Sequence, residues 1–174
     1  MPNWCGNTLK VYGEGQEMTK FQKKLKIKDG CVVNNLLSKF VPLPKELGEV
    51  HSGCNTIDGK QVRVWLEIDG KSVAIPKKVL DGWQKKYGAT NWYDFGCNQW
   101  GTKWDVDADV NDYDAEWIEL MFDSAWSPPM EWFENVVRDY PSLDFTLKYE
   151  EEGNGYLGVA KGKDGYVNDQ CIEY

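Results

Sequence analysis

At 174 residues, with 41% hydrophobic and 28% charged side chains, the chain has the composition of one folded domain, or of one domain carrying a sizeable insertion. An aromatic content of 14%, with nine tryptophans, excludes an intrinsically disordered chain. The formal charge of −8 is unevenly spread: residues 1–100 carry 15 Lys/Arg against 10 Asp/Glu, and residues 101–174 carry 5 against 18. Halves of +5 and −13 disfavour a generic nucleic-acid binder of high pI, while leaving room for a basic contact on one side and an acidic face on the other.

Residues 7–13 alternate apolar Leu9 and Val11 with polar neighbours and stop at Gly13, the pattern of a short half-buried strand. Met18, Phe21 and Leu25 then recur at helical spacing, with Lys20, Lys23, Lys24, Lys26 and Lys28 making the rest of that helix basic. The lysines read as a solvated face. No glycine-rich loop accompanies them, so specific phosphate binding is the minor reading.

Residues 32–97 read as an insertion. Phe40-Val-Pro-Leu-Pro-Lys is an extended, proline-punctuated stretch, and residues 48–59 are rich in turn formers. Within the insertion a strand is expected at 61–68, where Val62, Val64, Leu66 and Ile68 oppose Trp65, and a helix from about Pro76 to Tyr87, closed by Gly88.

Period two returns at 102–110, with Thr102, Trp104, Val106, Ala108 and Val110 on one side, followed by a turn at 111–115 and a strand at 116–123. Ser127-Pro128-Pro129 is a helix start in which the serine is expected to cap; Trp132, Phe133, Val136 and Val137 supply the apolar face up to Pro141. Leu143, Phe145, Leu147 and Tyr149 form the next strand, and Tyr156 to Ala160 a last hairpin arm. The order is strand, helix, insertion, strand, strand, helix, strand, with an extra C-terminal strand. That is an α+β chain of ferredoxin-like, split βαβ type, forming a single domain over 1–174.

Five scattered cysteines, Cys5, Cys31, Cys54, Cys97 and Cys171, without a C-x-x-C pair, point to a reducing cytoplasm and unpaired thiols. No signal peptide or apolar run of membrane-spanning length is seen, so no membrane association is expected. His51 and Cys54 have metal-pair spacing that Cys31 could complete, but a second local ligand pair is missing, and no metal site is assigned. Asp105-x-Asp107-x-Asp109-x-Asn111-x-Tyr113-x-x-Glu116 copies the ligand spacing of a calcium loop, yet Val110 stands where glycine must turn and the flanks read as strands. No cofactor is expected.

Four spaced segments, Met1-Pro-Asn-Trp-Cys-Gly-Asn7, Phe40-Val-Pro-Leu-Pro-Lys-Glu-Leu47, Asn98-Gln-Trp-Gly-Thr-Lys-Trp104 and Asp123-Ser-Ala-Trp-Ser-Pro-Pro129, resemble the phage- and plasmid-borne YubB-like ferredoxin-like family. The resemblance spans nearly the whole chain, except residues 50–71. It implies a ferredoxin-like fold and a mobile-element origin inside a bacterial host, and it transfers no catalytic residue.

Two candidate sites follow from the residues. Asn7, Trp100, Lys103, Trp104, Ser124 and Trp126 lie near expected strand ends and could converge into an aromatic, polar-rimmed ligand pocket, or could simply close the rim of the sheet. Asp105, Asp107, Asp109, Asp112, Asp114 and Glu116 form an acidic interaction face, or a solvated strand. With one histidine, no patterned nucleophile and no nucleotide fingerprint, enzymatic catalysis is not expected. The expected function is a non-enzymatic accessory protein binding a host protein or small ligand, with a role in blunting a host defence. The alternatives are a nucleotide or nucleic-acid binder using the tryptophan-rich rim and, last, a metal-dependent hydrolase.

Overall fold

The computed structural model describes residues 3–27 and 32–174. They divide into two compact units, one formed by Met1–Val41 with Trp100–Tyr174 and the other by Pro42–Gln99. The elements of the N-terminal stretch are β1 (Trp4–Tyr12), α1 (Gly15–Leu25), β2 (Val32–Val33) and α2 (Leu36–Phe40). The second unit holds α3 (Lys45–Gly48), β3 (His51–Ile57), β4 (Lys60–Ile68), β5 (Lys71–Ala74), α4 (Lys77–Tyr87) and α5 (Trp92–Phe95). A π-helical turn (Gly96–Trp100) leads to β6 (Ala108–Tyr113), β7 (Trp117–Ala125), α6 (Met130–Asp139), β8 (Asp144–Glu151), β9 (Tyr156–Lys163) and β10 (Tyr166–Glu173).

The first unit is a seven-stranded sheet in the order β10-β9-β8-β1-β7-β6-β2, antiparallel at every pairing. Its four middle strands, β8-β1-β7-β6, with α1 and α6 as the crossovers, are the ferredoxin-like split βαβ plan. Side-chain alternation decides which face is covered. Cys5, Asn7, Leu9 and Val11 of β1 and Phe145, Leu147 and Tyr149 of β8 are buried. They face the apolar sides of α1 (Met18, Phe21, Leu25) and α6 (Trp132, Phe133, Val136, Val137). Phe21 lies with its ring centroid 5.0 Å from Phe40 and 5.8 Å from Phe145, and Phe133 sits edge-on to Phe145 at 6.2 Å. The indole of Trp132 donates to Leu37 O at 3.1 Å, satisfying the one polar atom of a fully buried ring. At Gly162 on β9 a Cβ would overlap Val137 of α6, so only glycine permits that close approach.

Three local expectations are corrected. Residues 102–107 are not strand: Asp105 accepts from Leu37 N and Val106 N through Oδ1 (2.8 and 2.9 Å) and from Ser38 N through Oδ2 (3.1 Å). These carboxylate bonds cap the start of α2 and hold the segment irregular, and β6 begins only at Ala108. The strand then runs on to Tyr113, and the turn is made by Asp114, whose Oδ1 accepts from Glu116 N and Trp117 N at 2.7 and 3.0 Å. Ser127 does not cap α6; its hydroxyl donates to Gly101 O at 2.7 Å, and the helix starts from Pro129 with no side-chain cap. Beyond β9, the hairpin partner β10 has no counterpart in the sequence expectation.

The second unit contains the meander β3-β4-β5. Both hairpins turn on Asp-Gly, with left-handed φ at Asp58 and Gly59 (50° and 75°) and at Asp69 and Gly70 (51° and 71°), as a tight primed turn requires. The strand expected at 61–68 is β4 and the helix expected from Pro76 is α4, closed by Gly88 at φ 70°. This unit runs from Pro42 to Gln99, whereas residues 32–41 hold β2 and α2 of the first unit. Among the described residues no helix is long and apolar enough to cross a membrane.

Candidate binding face

The helices cover one face of the seven-stranded sheet, and the register specifies what the other face presents. Cross-strand pairing sets Leu157, Glu150, Gly6 and Asp123 in one row and Val159, Lys148, Thr8, Met121 and Asp109 in the next. These rows form most of a trough of about 850 Å³, completed by Trp4 and by Asp105 and Asp107 from the segment before β6. Its size falls in the usual range of ligand sites, roughly 300–1,000 Å³.

The lining is chemically lopsided. Trp4, Met121, Leu157 and Val159 are apolar, and Trp4 and Met121 are 54% and 47% exposed. Around them stand the carboxylates of Asp105, Asp107, Asp109, Asp123 and Glu150, with Lys148 as the one cation among the described lining residues. Both oxygens of Asp105 are taken by the amides of α2 and Val106, Asp107 Oδ1 accepts from Asn35 N at 2.7 Å, and Glu150 Oε1 accepts from the Tyr174 hydroxyl at 2.9 Å. Among the described residues no three His, Cys, Asp or Glu side chains are grouped to hold a metal ion. The trough lining thus sets carboxylates beside apolar side chains on one face. Beyond the trough, Lys10 pairs with Glu119, and this ion pair holds the Glu119 carboxyl below its ordinary range.

The six residues expected to form a ligand pocket are distributed differently. Asn7 and Ser124 come together on the covered face, where Asn7 Nδ2 donates to Ser124 Oγ at 2.9 Å and to Cys5 O at 2.7 Å, and Ser124 donates to Ser127 O at 2.7 Å. Both are buried, and Asn7 Oδ1 has no partner among the described residues. Trp100 is also buried, its indole donating to Val41 O at 2.9 Å. Lys103 Nζ lies 4.4 Å from the Trp104 ring centroid, and Trp104 is 6.4 Å from Trp4 at the end of the trough. Trp126 is 49% exposed with a left-handed φ of 72°, and its carbonyl accepts from the Tyr156 hydroxyl at 2.9 Å. Of the six, Asn7 alone borders the trough, although its amide group is buried on the helix-covered side.

The acidic run splits in two. Asp105, Asp107 and Asp109 line the trough, while Asp112, Asp114 and Glu116 continue along the end of β6 and the turn after it. Asp105 and Asp107 lie in an irregular segment and Asp109 on a strand, so the alternating spacing is not carried by one loop. His51 stacks on Trp65 at 5.7 Å and Cys54 is exposed on β3; Cys31 lies outside the described residues. Trp4, Met121, Asp123, Lys148, Glu150, Leu157 and Val159 were missed from sequence. Their shared signal is that each is a non-core position of an alternating strand.

Beneath this face, burial pushes the Cys5 thiol up to about 11, which keeps it protonated at neutral pH. Burial and a hydrogen bond to Asp169 likewise raise Tyr149.

No curated protein matches the chain. The crystal structure of a protein api92 from Yersinia pseudotuberculosis is similar to it, with a TM-score of 0.53 and 13% identity, covering 100% of this chain and 98% of that one. At that identity the likeness is one of fold. The sequence match is more local: residues 99–174, which carry β6 to β10 and α6, match the family described as the ferredoxin-like domain in Api92-like protein.

Proposed function

We propose that the chain is a non-enzymatic binding module whose open sheet face takes a lysine- or arginine-bearing segment of a protein partner. The observation that carries this is a trough lining in which Asp107, Asp109, Asp123 and Glu150 stand with exposed Trp4 and Met121. A long basic side chain has both parts such a surface selects: an apolar stem that lies on Met121 or Leu157, and a cationic head that pairs with a carboxylate or sits over the Trp4 ring. Phosphate backbones are repelled by the same lining, which disfavours nucleic acid at this face. On this reading the partner is a bacterial host factor and the chain a mobile-element accessory acting in the cytoplasm; the spaced-motif resemblance and the scattered unpaired cysteines support it.

The test is titration of the full chain with a short peptide of alternating lysine or arginine and leucine, compared with its glutamate counterpart. The basic peptide is expected to bind with salt-sensitive affinity, and the D109N/D123N/E150Q variant to bind about tenfold or more weakly while melting near the parent temperature. Equal binding by that folded variant removes the proposal.

A further inference from the structure

Between the end of α1 and the start of α2 lies a second concavity, of about 610 Å³, lined by Lys24, Lys26, Asn34, Asn35, Ser38 and Lys39. Three of these side chains are ammonium groups and three carry neutral donors. None of the described lining residues is a carboxylate, in a chain whose formal charge is −8, although Asp107 and Asp105 accept from the amides of Asn35 and Ser38. Two of the six hold left-handed backbone without being glycine: Lys26, at φ 51° where α1 ends, and Asn35, at φ 51° immediately before α2. Both are helix-end conformations, Lys26 closing α1 and Asn35 preceding α2, and they fix where the two side chains leave the backbone.

Other contacts order the same residues. Lys24 Nζ lies 5.1 Å from the centroid of Phe40, a core ring only 7% exposed, which restricts where that ammonium can go. The rim's main-chain amides are already engaged: Asn35 N donates to Asp107, and Leu37 N and Ser38 N donate to Asp105. An anion bound here is therefore held by side chains and not by a backbone cradle. Lysines supply point charges without fixed planar geometry, so the arrangement suits an extended multivalent anion better than a single planar carboxylate.

We propose that this concavity is a site for polyphosphate-class anions, with Lys24, Lys26 and Lys39 pairing phosphoryl oxygens and Asn34, Asn35 and Ser38 donating neutral hydrogen bonds. No aromatic side chain is among its lining residues, so recognition is of the phosphate chain and not of a base. The site is independent of the basic-segment reading of the sheet face, and either can fail alone.

Calorimetric titration of the full chain with inorganic tripolyphosphate, ATP and GTP at low salt tests it. Saturable binding is expected at about 1 mM or tighter, with ATP and GTP within about threefold of each other. K26Q and K39Q should each weaken tripolyphosphate by about tenfold, whereas K161Q, which removes the same charge from β9, should change it less than about twofold. Circular dichroism melts confirm that the three variants fold. Four results overturn the proposal: no saturation by about 1 mM, equal weakening by K161Q, a base preference beyond about threefold, or retention of an oligonucleotide with none of tripolyphosphate.

Discussion

Two tryptophans that look alike in sequence do opposite work. Trp132 is fully buried and its indole nitrogen is bonded to Leu37 O, whereas Trp104 is 38% exposed against Trp4. Trp132→Ala is expected to lower unfolding free energy by about 3–5 kcal/mol, and Trp104→Ala by only about 1 kcal/mol, as read by urea denaturation. Cys5 separates from the other described thiols in the same way. It is buried, while Cys54, Cys97 and Cys171 are exposed, so iodoacetamide at neutral pH should alkylate those three and leave Cys5 until the protein unfolds. Its pKa is raised on folding from 9.0 to about 11, so the native state holds the proton more tightly. That stabilisation is complete below about 9 and is lost as the pH rises towards about 11, giving a melting temperature that falls across this window in the wild type and falls less in Cys5→Ala.

At the scale of elements, the packing of α6 depends on glycine in β9. Gly162→Ala places a methyl group into Val137, and overpacking of this kind costs roughly 1–3 kcal/mol; the same change at Gly59, in an Asp-Gly turn of the second unit, acts through backbone strain instead. Thermal melts of the two variants, and of Gly162→Ala combined with Val137→Ala, distinguish the mechanisms, because relieving the contact should recover stability only in the first. The amphipathic elements were legible because burial imposes a period: Leu9 and Val11 at two, Met18, Phe21 and Leu25 at helical spacing. Residues 102–107 misled because Thr102 and Val106 are buried by an irregular segment, which Asp105 holds by bonding the amides of α2. The strand β10 carried no signal because nearly all its side chains are exposed, leaving no apolar alternation to read.

For the whole molecule, the trough was the least legible feature. Its members lie on β1, β6, β7, β8 and β9 and in the segment leading to β6, so Gly6 and Glu150 become neighbours only through the strand order. The acidic run at 105–109 was visible as charge, but that it borders an apolar floor was not. Where the second unit joins the first, Val41 and Trp100 are separated by 59 positions in sequence yet joined by an indole-to-carbonyl bond of 2.9 Å. Replacing Pro42–Gln99 with a few glycine and serine residues is therefore expected to leave a folded, monomeric remainder with cooperative unfolding, checked by circular dichroism and gel filtration. Trp100→Phe should make that excision less well tolerated, since the ends would lose their clasp. Because the chain departs and returns at almost the same point, the ferredoxin-like frame is a socket. Inserts of different length and shape are expected to be accepted there without altering the register of the sheet that carries the acidic trough.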